Sequence, residues 1–181
     1  MKALGFALAL VVAAIAAFAV VAALQPAEFR IERSVAIAAP AEVVFAQVND
    51  LHEFQEFSPW AKRDPAAKNT FEGPQAGTGA SFAWAGNADI GEGRMTITES
   101  HPSDLIRIRL DFRKPFASTA NTDFVFKSDG DGTVVTWSMD GRSDFAGKAM
   151  GLLMSMDKLI GGDFEAGLAR LKSLSESAAP S

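Results

Sequence analysis

The sequence of 181 residues contains no cysteine. This absence excludes disulfide bonds, thiolate metal ligands and thiol nucleophiles, and it leaves the redox compartment open. Histidine is scarce as well, since His52 and His101 are the only two. Because a histidine-rich metal site needs more ligands than these two provide, the sequence predicts neither a metal nor another cofactor.

A dense cluster of positive charge is also lacking. The chain has 17 Lys and Arg residues against 22 Asp and Glu residues, and its formal net charge is −5. Since binding to nucleic-acid phosphates depends on clustered Lys and Arg, this acidic balance argues against a nucleic-acid partner. The nearest basic group is Arg107, Arg109 and Arg113, which alternate with apolar residues. We interpret these arginines as a solvated strand face, and contact with an anion or a lipid headgroup is the alternative.

Charge is absent altogether from residues 3–24, which read ALGFALALVVAAIAAFAVVAAL and end shortly before Pro26. As a helix this segment is long enough to cross a bilayer core of about 30 Å. The positive start at Lys2 followed by an apolar run is also typical of a secretory signal peptide, but the usual apolar run there is only about 7–15 residues. We therefore favour an uncleaved single-pass anchor. Lys2 predicts a cytoplasmic N-terminus and a C-terminal domain on the non-cytoplasmic side of the membrane.

Beyond this segment the apolar residues follow the period of two that is typical of strands. A first strand begins at Phe29, Pro40 starts a short helix, and residues 49–50 end it or cap a second short helix that reaches Phe54. Six further strands are predicted at residues 69–73, 80–85, 94–99, 104–113, 119–127 and 133–140. In several of them apolar and polar residues alternate, which indicates an antiparallel sheet with one dry face and one wet face.

Residues 144–175 carry the longest periodic pattern, with apolar residues at helical spacing and polar residues on the other side. A single helix of that length would span about 45 Å, so its apolar stripe needs a large curved partner surface. Asp144 is the predicted N-cap. The adjacent Gly161 and Gly162 are predicted to allow a bend in the helix or its close approach to the sheet.

These elements predict an α+β fold in which one curved antiparallel sheet wraps around a long C-terminal helix. One transmembrane helix precedes it. The predicted division is residues 1–26 for the anchor or signal segment, 27–175 for the folded domain and 176–181 for a flexible tail.

The segment IERSVAIAAPAEVVFAQVNDLHEFQEFSPW, in which Pro40 opens a helix after the first strand, resembles the polyketide cyclase/dehydrase and lipid-transport family. That family belongs to the START/Bet v 1-like helix-grip superfamily. The stretches FEGPQAGTGASFAW, MTITES and TVVTWSMDG and the helix from Gly147 are also similar to it, so the resemblance covers about residues 29–174. It implies a helix-grip fold with a cavity between the sheet and the C-terminal helix, and many members bind hydrophobic ligands. It brings no catalytic motif onto this sequence.

Aromatic residues and methionines on the predicted inner surfaces are the candidate ligand-binding residues. Methionine is flexible and polarisable, and pockets for apolar ligands are mostly apolar. The candidates are Trp60, Trp84, Met95, Phe112, Phe124 and Trp137 on the sheet side and Met150, Leu153, Met154 and Met156 on the helix. A filled core would use the same residue types, and the resemblance favours a cavity.

The function predicted from these observations is the binding or transport of a hydrophobic small molecule such as a lipid, a quinone or a polyketide-like compound. An enzyme of the cyclase or dehydratase type is the alternative and would need a buried carboxylate, for which Glu92, Glu99, Asp123 and Asp140 are the candidates. A module that binds a protein partner is a third possibility, and a sealed core with an exposed apolar patch would favour it.

Overall fold

The computed structural model describes residues 2–153 and 156–179. Its helices, in chain order, are α1 (Lys2–Leu24), α2 (Ala41–Asn49), α3 (Leu51–Phe57), α4 (Phe145–Leu153) and α5 (Met156–Ala178). Its strands are β1 (Glu28–Ile37), β2 (Lys68–Glu72), β3 (Ser81–Ala85), β4 (Glu92–His101), β5 (Leu105–Lys114), β6 (Ser118–Asp129) and β7 (Gly132–Arg142). Every predicted strand is present, with ends that differ from the predicted ones by a few residues.

The seven strands form one antiparallel sheet in the order β1-β7-β6-β5-β4-β3-β2. The alternating sequence of β5 shows how the sheet acquires two faces, because Ile108 and Leu110 are buried while Arg107 and Arg109 on the other face are not. A shift of register next to Gly93 marks a bulge, which is a device for bending a sheet. The curved antiparallel sheet predicted from the sequence is confirmed.

Two short helices, α2 and α3, cover part of the concave face of the sheet. Asp50 caps α3, because its side chain accepts a hydrogen bond of 2.8 Å from the backbone N–H of His52. The apolar faces of the two helices are buried against β6, β7 and α5. Their buried residues are Val44, Phe45, Val48, Leu51, Phe54 and Phe57.

Of the single helix predicted over residues 144–175, the structure describes two helical stretches, α4 and α5, and Met154 and Ser155 between them lie outside the described residues. The two stretches have different partners. Asp144 caps α4 as predicted, and its side chain accepts a hydrogen bond from the backbone N–H of Gly147. Helix α4 packs against α1. Helix α5 packs on the domain, where it contacts β1, α2 and α3 and buries Phe164, Leu168 and Leu171. The apolar residues of this region therefore pack against two separate surfaces, α1 for α4 and the folded domain for α5.

Arg33 in β1 fixes α5 to the edge of the sheet. Its guanidinium donates two hydrogen bonds to Asp157, of 2.9 and 3.0 Å, and one of 2.7 Å to Glu165. Asp157, Gly161 and Glu165 are spaced four residues apart on one face of α5, so the glycine lies between the two carboxylates. A side chain at position 161 would clash with the Arg33 guanidinium. Gly161 thus permits the close approach predicted for the glycine pair.

The contacts of Arg33 with Asp157 and Glu165, which we call the Arg33 junction, also make the stability of the fold depend on pH. Hydrogen bonds from Arg33 hold the pKa of Asp157 below its ordinary value. Because that pKa is lowered in the folded state, the stabilisation is present at neutral pH and is lost as the pH falls through the folded value.

Helix α5 also runs three residues beyond the predicted end of the domain at residue 175. Glu176 accepts a hydrogen bond of 2.8 Å from the backbone N–H of Ala38 and pairs with Lys172 at 2.9 Å. Ser175 is fully buried. Residues 176–178 are therefore helical, and the flexible tail predicted from residue 176 onward is wrong for these three residues.

The two adjacent glycines of α5 provide a matched test of the Arg33 junction. Gly162 has open space where a side chain would go, so Gly162→Ala should raise the free energy of unfolding by up to about 1 kcal/mol through helix propensity. Gly161→Ala should lower it relative to the wild type, because the new methyl group displaces the guanidinium. Chemical denaturation of the full chain in detergent micelles measures both variants. Equal stabilisation by the two substitutions would contradict this account.

Candidate ligand-binding cavity

A cavity of about 300 Å³ lies between the inner face of the sheet and the segment that includes α3 and the loop after it. This volume is at the lower end of the range of about 300–1,000 Å³ for small-molecule sites. The inner lining comes from α3 and its C-terminal end and from strands β3 to β7. It comprises Phe54, Gln55, Ser58, Trp60, Phe82, Trp84, Met95, Ile108, Leu110, Phe112, Thr122, Trp137 and Met139.

Two of the three tryptophans in this wall, Trp84 and Trp137, have hydrogen-bond partners for their indole N–H groups inside the protein. The indole N–H of Trp137 donates a hydrogen bond of 2.7 Å to the hydroxyl of Thr122, which in turn donates to the carbonyl of Ser138 at 2.8 Å. The indole N–H of Trp84 donates to the carbonyl of Ile90 at 3.0 Å. Both indoles therefore present apolar surface to the cavity.

Trp137 links the cavity to α5. Its ring stacks on Phe164 with ring centroids 4.1 Å apart and the planes within 8°, and Trp60 meets both rings edge to face. Gly167 makes room for this stack, because a Cβ there would lie 2.7 Å from Cζ3 of Trp137. Helix α5 thus supports the cavity wall through its contact with Trp137. None of the described residues of α5 lines the cavity itself.

The mouth of the cavity is at one end of the sheet, where loops and strand ends supply lining residues that are partly or fully exposed apart from Gly91. Its lining comprises Ala61, Asp64, Ala67, Asn69, Ala88, Asp89, Ile90, Gly91, Lys114 and Pro115. Asp64 holds two of these loops together, since its carboxylate accepts hydrogen bonds from the backbone N–H groups of Ala66, at 3.1 Å, and Asn87, at 2.7 Å. The Lys114 ammonium pairs with Glu92 at 2.6 Å. The polar groups of the mouth surround an apolar interior.

The structure brings five of the ten predicted ligand-binding residues into the cavity lining, namely Trp60, Trp84, Met95, Phe112 and Trp137. Phe124 is fully buried in the core, where it stacks on Trp137 with centroids 4.7 Å apart. Met150 and Leu153 are exposed on α4 and do not line the cavity, because α4 packs on α1. Met154 and the side chain of Met156 lie outside the described residues. The expected cavity between sheet and C-terminal helix is corrected accordingly, since the wall opposite the sheet is α3 and the loop that follows it.

Sequence reasoning missed several lining residues. Phe82 and Leu110 occupy inward positions of predicted strands, so the alternation that placed Trp84 and Phe112 could have added them. Ile90 lies in the loop between β3 and β4, outside any periodic pattern. It lines the cavity, and its backbone carbonyl accepts the hydrogen bond from the Trp84 indole.

The four carboxylates proposed as acid/base candidates do not line the cavity. Glu99 and Asp123 pair with Arg107 at 2.7 and 2.9 Å, and Glu92 pairs with Lys114. Asp140 lies 3.8 Å from the guanidinium of Arg30. Each of them therefore has a basic neighbour, and of these neighbours Lys114 lines the cavity mouth.

The arginines of β5 belong to this network of ion pairs. Arg107 donates hydrogen bonds to Glu99 and Asp123, and these bonds, chiefly those to Asp123, raise its pKa. Arg109 pairs with Asp111 at 3.0 Å. Their place on the face of the sheet opposite the cavity agrees with the predicted wet strand face.

Comparisons with known proteins show which family and which solved structures this chain is similar to. A family model described as polyketide cyclase/dehydrase and lipid transport matches residues 28–176. No curated protein matches the sequence. One similar solved structure is a protein from Chromobacterium violaceum, with 16% identity and a TM-score of 0.58 over 84% of this chain and 99% of that one.

Two further structures show how widely this fold is used. The di-domain ARO/CYC StfQ from the steffimycin biosynthetic pathway is 13% identical, with a TM-score of 0.60 over 83% of this chain and 51% of that one. The major latex-like protein 151 from Panax ginseng is 12% identical, with a TM-score of 0.57 over 81% and 97%. At such identities the likeness shows the helix-grip fold alone.

The hydrogen bond between Trp137 and Thr122 can be tested by an isosteric change. Thr122→Val leaves the buried indole N–H without an acceptor, so the free energy of unfolding should fall by about 1–3 kcal/mol. Denaturant unfolding followed by tryptophan fluorescence measures the change. Thr136→Val is the matched control, because the Thr136 hydroxyl bonds to Ser34 outside the buried core, and it should cost little. Equal losses in both variants would contradict the assignment.

Proposed function

The chain belongs to the polyketide cyclase/dehydrase and lipid-transport family, and from this premise we propose that its cavity binds a small hydrophobic molecule. The ligand class is a lipid with a single chain, a quinone or a polyketide-like compound. The observation that carries the proposal is an apolar cavity of about 300 Å³ in whose wall the indole N–H groups of Trp84 and Trp137 are satisfied within the protein.

Desolvation drives binding in this proposal. A cavity lined by aromatic and aliphatic side chains offers few hydrogen bonds to water, and an apolar ligand gains free energy by leaving water for such a wall. Phe82, Met95 and Leu110 supply adaptable apolar surface in the interior. The polar groups at the mouth, among them Asn69 and Lys114, are placed to meet the polar end of an amphiphilic ligand.

The proposal places the domain at a membrane. Residues Gly5–Leu24 form a helix that is long and apolar enough to cross a bilayer, and a signal sequence near an N-terminus would pass the same test. As an uncleaved anchor, α1 would keep the domain next to a reservoir of hydrophobic ligands. The charge at Lys2 favours a domain on the non-cytoplasmic side.

Binding rather than catalysis is the function favoured by the groups around the cavity. Its two lining carboxylates, Asp64 and Asp89, are at the mouth. Asp64 already accepts hydrogen bonds from two backbone N–H groups, so its role is to connect the two loops. A cyclase or dehydratase needs an acid or base within hydrogen-bond reach of the reacting atoms.

Tryptophan fluorescence tests the proposal directly, because all three tryptophans of the chain line the cavity. A soluble short-chain quinone added to the full chain in detergent micelles should quench this fluorescence in a saturable way. Ala61→Phe places a large side chain in the mouth and should weaken the apparent affinity at least about tenfold, which is 1.4 kcal/mol.

Ala66→Phe is the matched control, because Ala66 belongs to the same loop, is exposed and does not line the cavity. It should leave the affinity unchanged. Quenching that is linear in quinone concentration, or that is the same in the wild type and both variants, would show that the quinone does not enter the cavity and would overturn the proposal.

A further inference from the structure

The strand register places one set of strand ends together along one end of the sheet. Glu28 lies opposite Arg142, Ser118 opposite Phe112, and Ala85 opposite both Glu92 and Lys68. We name this edge the α1 end, and it consists of Glu28, Arg142, Ser118, Lys114, Glu92, Ala85 and Lys68. The opposite end carries the turns around Ser103 and Gly130.

The apolar helix α1 joins the sheet at this α1 end and is tied to it. Only three residues separate Leu24, the last residue of α1, from the start of β1. The backbone N–H of Ser143 donates a hydrogen bond of 2.7 Å to the carbonyl of Ala27. The Lys148 ammonium on α4 donates to the carbonyl of Ala23 at 3.3 Å. Because these contacts hold the end of α1 next to the α1 end of the sheet, a membrane crossed by α1 would lie at that end.

The cavity opens at the same end. Its mouth is lined by Ala67, which precedes β2, by residues 88–91 between β3 and β4, by Lys114 at the end of β5 and by Pro115 after it. Strand β5 is the fourth strand of the sheet counted from β1. At about 4.8 Å per strand it lies roughly 14 Å from β1 along this end.

Exposed apolar side chains mark the α1 end as well. Outside α1, the large hydrophobic residues exposed in the described part of the chain are Phe116 (75%), Phe145 (55%), Met150 (51%) and Leu153 (73%). Phe116 lies in the turn between β5 and β6, and the other three are on α4, which packs against α1. Single exposed hydrophobic residues are ordinary, but four that share the end with an apolar helix indicate a common apolar partner.

We propose that the α1 end rests on the bilayer surface, with Phe116 and the exposed side of α4 in the interfacial region, so that the cavity opens towards the membrane. The ligand would then pass between bilayer and cavity without crossing water. This inference rests on the proposed function for the ligand, whereas the orientation itself depends only on α1, α4 and the strand register. Basic and acidic residues both occur at this end, among them Arg142 and Glu28, so apolar contact rather than net charge is the driving interaction.

The absence of cysteine makes the orientation directly measurable, because each engineered cysteine is the only one. Phe116→Cys and Met150→Cys carry an environment-sensitive fluorophore at the α1 end. Asp131→Cys carries it in the hairpin between β6 and β7 at the opposite end. The full-length chain is reconstituted in vesicles of phosphatidylcholine and phosphatidylglycerol that contain nitroxide-labelled lipid. We expect at least twofold quenching at positions 116 and 150 and none at 131. Equal quenching at all three positions, or quenching at 131 alone, would overturn the orientation.

A transfer measurement separates this inference from the proposed function. The double variant Phe116→Ser/Leu153→Ser changes two exposed side chains that do not line the cavity. Uptake of a fluorescent fatty acid from vesicles should slow about tenfold, while its affinity for the chain in detergent micelles stays the same. Unchanged uptake by a variant that still binds would overturn entry from the membrane alone. Failure of the wild type to bind in micelles would overturn the proposed function, and the quenching pattern would still decide the orientation.

Discussion

The contact on which the rest of the domain depends is the parallel stack of Trp137 in β7 on Phe164 in α5. It joins β7, the strand next to the edge strand β1, to the C-terminal helix, and Gly167 is the residue that lets the two approach. Because Trp137 also lines the cavity, α5 supports the cavity wall, although none of its described residues lines the cavity. Thr122 accepts the hydrogen bond from the indole N–H of Trp137. Trp137 can therefore both support the fold and present apolar surface to the cavity.

The two helical stretches described within residues 144–175, α4 and α5, pack on different partners. Had the whole apolar stripe packed on the sheet, Phe145, Met150 and Leu153 would have been covered by the domain. Instead α4 lies against α1, and its outer side chains remain exposed. Arg33, through Asp157 and Glu165, holds the beginning of α5 on β1. The apolar surface that α4 leaves exposed is at the end of the sheet where the cavity opens.

The sequence was sufficient for the fold because each strand carries its own alternation, as in β5, and the structure confirms the curved sheet, the two short helices and the terminal apolar helix. The sequence was insufficient to predict which surfaces long periodic segments pack against. Periodicity shows that Met150 and Leu153 share an apolar side but does not identify the surface that covers it. The cavity was therefore expected under the helix, and half of its predicted lining lies elsewhere or outside the described residues. Loop residues such as Ile90 have no periodic signal, and only spatial neighbours distinguish Gly161 from Gly162.

The central claim is that the cavity holds a hydrophobic molecule, and native mass spectrometry of the full chain purified from membranes in mild detergent tests it most directly. Ala61→Phe serves as the reference, because it retains α1 and its bound detergent and lipid while its cavity mouth is filled. The account predicts a discrete small hydrophobic molecule, recoverable by solvent extraction, that accompanies the wild type and is lost from the variant. Identical spectra for the two proteins, with no molecule specific to the wild type, would contradict it.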